Sequence, residues 1–351
     1  MAVGTLGSLK GITVQQAEEC GQKILLANTY HLALRPGAEV VQRLGGVHGL
    51  SGWRGPMLTD SGGYQVFSLS ENRTLSENGV RFRSHLDGSI LDLTPEESIR
   101  VQRYLGADMI MAFDECPDLH GTPEALRASI ERTLRWLERS VQAWQDTDKG
   151  WPGGAERQAL FGIVQGGLDK DLRHFSAEHT LAHNLPGYAV GGLSVGESAA
   201  DRNAVLDWTC PLLPTDRPRY LMGVGTPLDI VEAVYRGIDL FDCVLPTRMG
   251  RHGIAYTDQG PLHLKRQQYR EDCRVLDATT PSAADRVSRG TIRHLLHSGE
   301  SLGGQLISIH NLAYYQSLMK RLQGNIAAGT IEQFTADYRR TYDPKSADSL
   351  Q

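Results

Sequence analysis

The sequence predicts an α/β fold, a closed (β/α)8 barrel of the TIM type with a small inserted subdomain. Three observations carry this. Short apolar runs alternate with helical stretches seven times, and the stub Ala2-Val3-Gly4 offers an eighth strand. Each run ends in Gly or polar residues before a helical stretch follows. Beyond Gly253 the pattern changes. Such alternation implies a parallel sheet, and eight units close into a barrel more often than they stay open.

The runs, in order, are Ile24–Ala27 before Asn28, Met57–Leu58 before Thr59-Asp60-Ser61-Gly62-Gly63, and Met109–Phe113 before Asp114. Leu160–Val164 precedes Gln165-Gly166-Gly167, Tyr188–Val190 precedes Gly191-Gly192, and Tyr220–Met222 precedes Gly223. Leu240–Leu245 completes the set. Several helices announce their starts. Thr94-Pro95-Glu96-Glu97 supplies a cap, a first-turn proline and a capping-box glutamate. Thr226-Pro227-Leu228-Asp229 repeats the idea. After Thr122-Pro123, Leu126, Ile130, Leu134, Leu137, Val141 and Trp144 recur at spacings of three and four, an amphipathic helix. One detour, Val80–Leu91, alternates apolar and polar residues about Asp87-Gly88 and reads as a β-hairpin lid.

After Gly253, Ile254–Leu264 reads as another hairpin, Leu264–Arg274 is charge-rich, and Asp277–Asp285 is a loop of small residues. Val287–Tyr342 is mostly helical. The chain thus divides into a barrel carrying the active site (1–253), an inserted subdomain (254–310) and helices closing the barrel (311–342). The tail, 343–351, reads as disordered.

Composition narrows the function classes. A chain of 351 residues suits one barrel with an insertion, and 40% hydrophobic with 22% charged residues is ordinary for a soluble globular protein. No apolar run approaches the roughly 18 residues of a membrane span. The start, MAVGTLGSLKGIT, lacks the blocks of a signal peptide. Five scattered cysteines have neither metal spacing nor disulfide density, so a reduced, cytoplasmic setting is expected. A net charge of −5 argues against a globally basic nucleic-acid binder but leaves room for local patches.

Residues 236–253 organise the candidate site. Leu240, Phe241, Cys243, Val244 and Leu245 read as one short buried strand holding a single acid, Asp242, and ended by Pro246. Thr247, Arg248, Gly250 and Arg251 then read as a basic loop. A carboxylate in an apolar run is costly unless paired, hydrogen-bonded or used. It is either an acid neutralised by a neighbouring arginine or a nucleophile or base beside an anion-binding loop. Barrel chemistry sits at the strands' C-terminal ends. There the sequence puts Asp60, Asp114, Gln165 and Gly192 beside Asp242. Taken singly, Asp114 also reads as a helix cap, Gln165 as a backbone-satisfying amide and Gly191-Gly192 as a turn.

The chain resembles the tRNA-guanine transglycosylases over nearly its whole length. The resemblance rests on ANTYHLALRPG (27–37), LTDSGGYQVFSL (58–69), MAFDECP (111–117), VQGG (164–167), GGLSVGE (191–197), YLMGVG (220–225), FDCVLPTR (241–248) and HN (310–311). It implies exchange of the guanine at the tRNA wobble position for a deazaguanine, through two carboxylates working with retention. By resemblance Asp242 is the nucleophile at C1′ and Asp60 the acid/base. Asp114, Gln165 and the Gly192 N–H face the base edge, and Tyr64 and Met222 sandwich the base. Cys116 and Val195 resemble the bacterial pocket, implying 7-aminomethyl-7-deazaguanine as the incoming base, with its ammonium near the Leu193 carbonyl and Glu197. The segments Gly223, Val224, Gly225, Thr226, Pro227, Leu228, Asp229 and Thr247, Arg248, Met249, Gly250, Arg251 resemble the loops that bind the anticodon, with Lys265, Arg266 and Arg270 adding basic surface.

The chain also departs from the family. Bacterial members bind structural zinc through Cys-x-Cys-x2-Cys and a downstream His. Thr279, Pro281 and Ala284 stand at the cysteine positions and only His310 remains, so no metal or other cofactor is expected, and the 277–286 loop is expected to be mobile or held only by packing. Val287 and Thr291 replace the usual aromatic dimer-interface residues, so a homodimer is expected to be weakened. Met1 falls at the first barrel strand. The strands usual before it are therefore read as truncated, and barrel closure beside Asp242 is at risk. The alternative to an active enzyme is a non-catalytic or altered-substrate paralogue that binds tRNA or DNA as a partner subunit. Intact Asp60, Asp114 and Asp242 oppose it.

Overall fold

Burial on both faces makes the strands of a parallel barrel mostly apolar, and this chain follows that rule, with Thr59 and Arg219 as the polar members. The structure, a computed structural model, describes residues 1–69, 73–84, 86–117, 121–146, 149–154 and 156–342. The expected tail at 343–351 lies outside them. The barrel strands are β1 (Ala2–Val3), β2 (Leu25–Ala27), β3 (Met57–Thr59), β4 (Met109–Met111), β5 (Ala159–Val164), β6 (Gly187–Val190), β7 (Arg219–Leu221) and β8 (Leu240–Phe241). They pair in parallel and in sequence order. Closure, expected to be at risk, is present: Ala2 bridges Cys243 in parallel, and the Met1 amino group donates to the Phe241 carbonyl at 2.5 Å.

Side chains alternate across each strand. Leu26, Leu58, Met111, Phe161, Ile163, Ala189 and Tyr220 form one cluster. Their neighbours Leu25, Ala27, Met57, Ile110, Leu160, Val164, Tyr188, Val190, Leu221 and Phe241 pack with the surrounding helices. With period two, residues 28, 60, 165, 191 and 242 continue the inward series just past the strand ends. That places Asp60 and Asp242 at one mouth.

The helix starts behave as their sequences require. Thr94, Thr122 and Thr226 each accept a backbone N–H three residues on, and a proline follows each in the first turn. Thr226 and Asp229 complete a capping box; Glu97 instead turns to Arg100, at 2.7 Å. The expected two-stranded hairpin is a three-stranded antiparallel sheet, Arg73–Ser76, Gly79–Arg83 and Ile90–Leu93. Its first strand is largely solvent-exposed, so it lacks the apolar alternation that would have announced it.

Two expectations around Asp242 are corrected. The strand ends at Phe241, and Val244 is 41% exposed rather than buried. Thr247–Arg251 is not a loop but part of a helix, Leu245–His252. Proline is tolerated in a first helical turn, so Pro246 opens this helix, and Gly253 ends it in the left-handed conformation.

The hairpin after it is present, Ile254–Thr257 with Gly260–His263. Ala255, Leu264, Leu276, Ala284, Ile292 and Ile307 build a second apolar cluster there. The 277–286 segment is held by more than packing. Asp277 Oδ1 accepts from the Thr279 N–H and hydroxyl, Ser282 and Asp285 form a capping box, and Arg289 donates to the Val275 and Leu276 carbonyls. One helix, Ser301–Ala327, crosses the expected boundary at residue 310, and Ile331–Thr341 follows it. Asn311 on the long helix donates to the Pro246 and Ile254 carbonyls and accepts from Tyr256, tying the hairpin and the post-Asp242 helix together.

These two helices meet through glycine. A Cβ on Gly250 would stand 2.7 Å from the Ser308 backbone nitrogen. Gly250→Ala should therefore force the helices apart and cost about 1–3 kcal/mol, the usual range for overpacking. A thermal melt reads this directly, and an unchanged melting temperature would contradict the close contact.

Candidate active site

A cavity of about 450 Å³ opens at the C-terminal ends of the strands. Asp60, Asp242, Tyr64, Asp114, Cys116, Gln165, Gly192, Leu193, Val195 and Met222 all line it. The ten base-pocket and catalytic candidates are thus brought together. Tyr64 is 52% exposed, so it is a wall of the cavity and not a core residue.

Asp60 sits one residue past β3 and is buried. Asn28 Nδ2 and Gln65 Nε2 donate to its Oδ2 at 2.5 and 2.8 Å, and the Thr29 N–H to its Oδ1 at 2.8 Å. Burial raises its pKa to about 6; the three donors pull the other way, and the nearby Asp242 charge adds to the rise. Asp114 behaves alike. Burial lifts it to about 6 against donation from Gln165 Nε2 at 2.7 Å and Ser61 Oγ at 3.2 Å. It is no helix cap, since Thr122 caps the following helix. Gly63 lets the chain pass close by: a Cβ there would stand 2.7 Å from the Asp114 carbonyl oxygen.

Asp242 is half-buried and differently held. Its Oδ1 accepts from the Tyr220 hydroxyl at 2.5 Å and the Gly223 N–H at 2.7 Å. Oδ2 has no hydrogen-bond partner among the described residues. No arginine pairs with Asp242 there either, which removes the neutralised-acid reading. Tyr220 itself is pushed well above the usual phenol range by burial and by Asp242, so it remains a donor.

The opposite wall is backbone. Glu197 accepts the Ser194 and Val195 N–H groups at 2.6 and 3.0 Å. Peptide planarity then turns the Leu193 carbonyl to the other side of the Ser194 amide. Burial, with the Asp114 charge, pushes the Cys116 thiol up to about 12, so it stays protonated and is no nucleophile.

The candidate anticodon segments split. Gly223 and Arg248 reach the cavity. Arg251, with Lys10 and Lys265, lines a second cavity of about 480 Å³. Val224, Gly225, Pro227, Thr247 and Gly250 are buried, and Met249 packs on the main core. Leu228 is half-buried against the same core, while Thr226 caps its helix and Asp229 pairs with Arg202.

Sequence reasoning missed roles for Asn28, Gln65 and Tyr220. Asn28 carried a signal, a polar residue ending an apolar run. Tyr220 carried none, because tyrosine in a strand reads as core.

The residues at the family's zinc position do not suit a thiolate site. Thr279 is engaged with Asp277, Ala284 is fully buried in the apolar cluster, and His310 Nε2 bonds the Tyr256 carbonyl at 2.8 Å. His310 Nδ1, Asp277 Oδ2 and Asp285 Oδ1 are buried without partners. Even so, no three His, Cys, Asp or Glu side chains among the described residues gather as a metal-holding group.

A closed parallel barrel whose strand ends gather acids, an amide and backbone donors around one cavity is the layout of a barrel enzyme. The chain belongs to the queuine tRNA-ribosyltransferase family, whose family model matches residues 1–344. Proteins named queuine tRNA-ribosyltransferase are similar to it over most of their length. One from Thermus thermophilus is 50% identical over 341 residues, covering 97% of this chain and 86% of the relative. The Brucella suis protein is 50% identical over 338 residues, 96% and 88%. The Zymomonas mobilis protein is 48% identical over 343 residues, 97% and 88%. No helix among the described residues is long and apolar enough to cross a membrane.

The raised acids have a consequence for stability. A carboxyl whose pKa is higher folded than unfolded favours folding at low pH and loses that advantage as pH rises from about 4 through about 6. Relative to Asp60→Asn, the unmodified chain should lose on the order of 1–3 kcal/mol between about pH 4 and pH 7.5. Thermal melts of both proteins across that range test this; a difference that does not change with pH would refute it.

Proposed function

We propose that this chain is a tRNA-guanine transglycosylase, which exchanges guanine at the tRNA wobble position for 7-aminomethyl-7-deazaguanine. What carries the reading is the pairing of Asp60 and Asp242 at one cavity: Asp60 is buried and raised, while Asp242 keeps an oxygen open. Two such carboxylates are what double displacement at a ribose needs.

Asp242 Oδ2 attacks C1′ and the N-glycosidic bond to guanine breaks, leaving the ribose esterified to the aspartate. Asp60 gives its proton to the departing base. Once it is ionised, it takes a proton from the incoming base, whose ring nitrogen then displaces Asp242. A pKa of about 6 suits both duties near neutral pH. The Tyr220 hydroxyl and Gly223 N–H hold Oδ1, aiming Oδ2 and stabilising the carboxylate when it leaves.

Asp114 accepts from the N–H donors on the base edge. Gln165 gives one amide hydrogen to Asp114, keeping its second, with the Gly192 N–H, for the base carbonyl. Tyr64 and Met222 flank the ring. An aminomethyl ammonium finds the Leu193 carbonyl, and the bulk of Val195 opposes larger 7-substituents. Gly223, Arg248 and Arg251 meet the anticodon loop. A reduced cytoplasmic setting belongs to the same reading, supported by five free cysteines. So does weak self-association, since Val287 and Thr291 offer little apolar area.

Incorporation of labelled guanine into tRNA tests the activity, and its absence would favour a binding-only subunit. Asp242→Ala should abolish a denaturation-resistant tRNA adduct while tRNA binding stays measurable. An adduct surviving in that variant would assign the nucleophile elsewhere.

The reading includes a zinc-free subdomain. Elemental analysis should find no stoichiometric zinc, and a chelator should leave the melting temperature unchanged. About one zinc per chain, lost together with stability, would overturn it.

A further inference from the structure

Beneath the pocket floor lies a guanidinium that no role above uses. Arg173, on the helix Lys170–Leu181, is fully buried, and no carboxylate pairs with it among the described residues. Its partners are all backbone carbonyls. Nη1 donates to Val164 at 2.9 Å and to Gly191 at 3.0 Å; Nε and Nη2 donate to Gly167 at 3.0 and 2.9 Å. Burial brings the group down to about 9, so it remains charged at neutral pH. Burying a cation that no carboxylate contacts is expensive even with Glu197 acting on it from farther off, and backbone ties alone would be met more cheaply by a neutral side chain.

Those carbonyls belong to the two strand ends that carry the base-reading groups. Val164 precedes Gln165, and Gly191 precedes Gly192. In a trans peptide the carbonyl and the following N–H point opposite ways. Holding the Gly191 carbonyl down onto Arg173 therefore turns the Gly192 N–H up, away from the helix. Gly192 lines the cavity, and its N–H has no acceptor among the described residues. The approach is built for this: a Cβ on Gly166 would stand 2.8 Å from Arg173 Cγ and Cδ.

We propose that Arg173 is a positioning residue for base recognition: its grip on the Gly191 carbonyl aims the Gly192 N–H at the base carbonyl oxygen and strengthens it as a donor. A charge hydrogen-bonded to one end of a peptide polarises the other, so the N–H gains acidity as well as direction. When the glycosidic bond breaks, electron density moves from the ring nitrogen toward that carbonyl oxygen. The same N–H then acts as a preorganised oxyanion donor. This rests on the guanine-exchange reading above and adds to it where base discrimination is set.

The test compares two competitive ligands, guanine and 2-aminopurine, which keeps the 2-amino group but lacks the carbonyl. Inhibition constants are measured for the unmodified chain, Arg173→Met and Arg173→Lys. Arg173→Met should weaken guanine about tenfold while changing 2-aminopurine less than about twofold, as expected for a lost charge-assisted donor. Arg173→Lys, which keeps the charge but not the fork, should fall between and serves alone if the methionine variant does not fold. Equal weakening of both ligands, or no change in either, would overturn the proposal and leave Arg173 a purely structural residue. Failure of the unmodified chain to prefer guanine over 2-aminopurine would instead sink the guanine-exchange reading itself, and the proposal with it.

Discussion

Two carboxylates buried at the barrel mouth, with no cation paired to either among the described residues, set the terms for the site. Among the described residues, Asp60 and Asp114 are held by neutral donors, the amides of Asn28, Gln65 and Gln165, the Thr29 N–H and the Ser61 hydroxyl. Neutral donors orient a carboxylate without pinning it as an anion, so burial keeps both groups ready to take and release a proton near neutrality. An arginine in their place would have locked them ionised. The buried guanidinium of Arg173 is turned away from them and bonds carbonyls instead. Asp242 is treated differently, with a single oxygen held by Tyr220 and Gly223. Two of the three acids in this mouth thus share one character, and their neighbours give the third another.

The barrel was legible because helices cover its strands on the outside and side chains fill the inside. Every strand therefore became an apolar run, and every polar residue ending a run stood out. Asp60, Asp114 and Gln165 were visible for that reason, and Asp242 as a lone acid set inside a run. Tyr220 was not, because its ring packs as core while only its hydroxyl serves the site. Arg173 was hidden inside a helix whose other charged residues face solvent. Thr247–Arg251 looked like a loop because basic residues, proline and glycine share the composition of loops. Position decides the matter: Pro246 stands in a first turn, where its missing N–H costs nothing, and Gly250 is small so that another helix can approach. Arg73–Ser76 gave no warning, since an exposed strand buries nothing that would impose alternation.

The C-terminal part shows how a segment stays ordered with few apolar residues. Between Leu276 and Val287 the chain turns on an Asx contact and a capping box, with Ala284 alone reaching the apolar cluster. The long helix then returns to the barrel, its Asn311 satisfying groups on both sides of Gly253. The subdomain and the helix that follows Asp242 therefore share one support.

The seam of the barrel has a consequence in time. β1 and β8 are each two residues long, and they meet across some 240 residues of chain. Closing so large a loop costs conformational entropy that no local contact repays, and such contacts form late. During synthesis the first strand waits, unpaired on one edge, until residues beyond 243 have left the ribosome. Asp242, held from the β7 side by Tyr220 and Gly223, stands one residue from that seam. The third acid is therefore the last of the three to be synthesised, and it arrives beside the strand that shuts the ring.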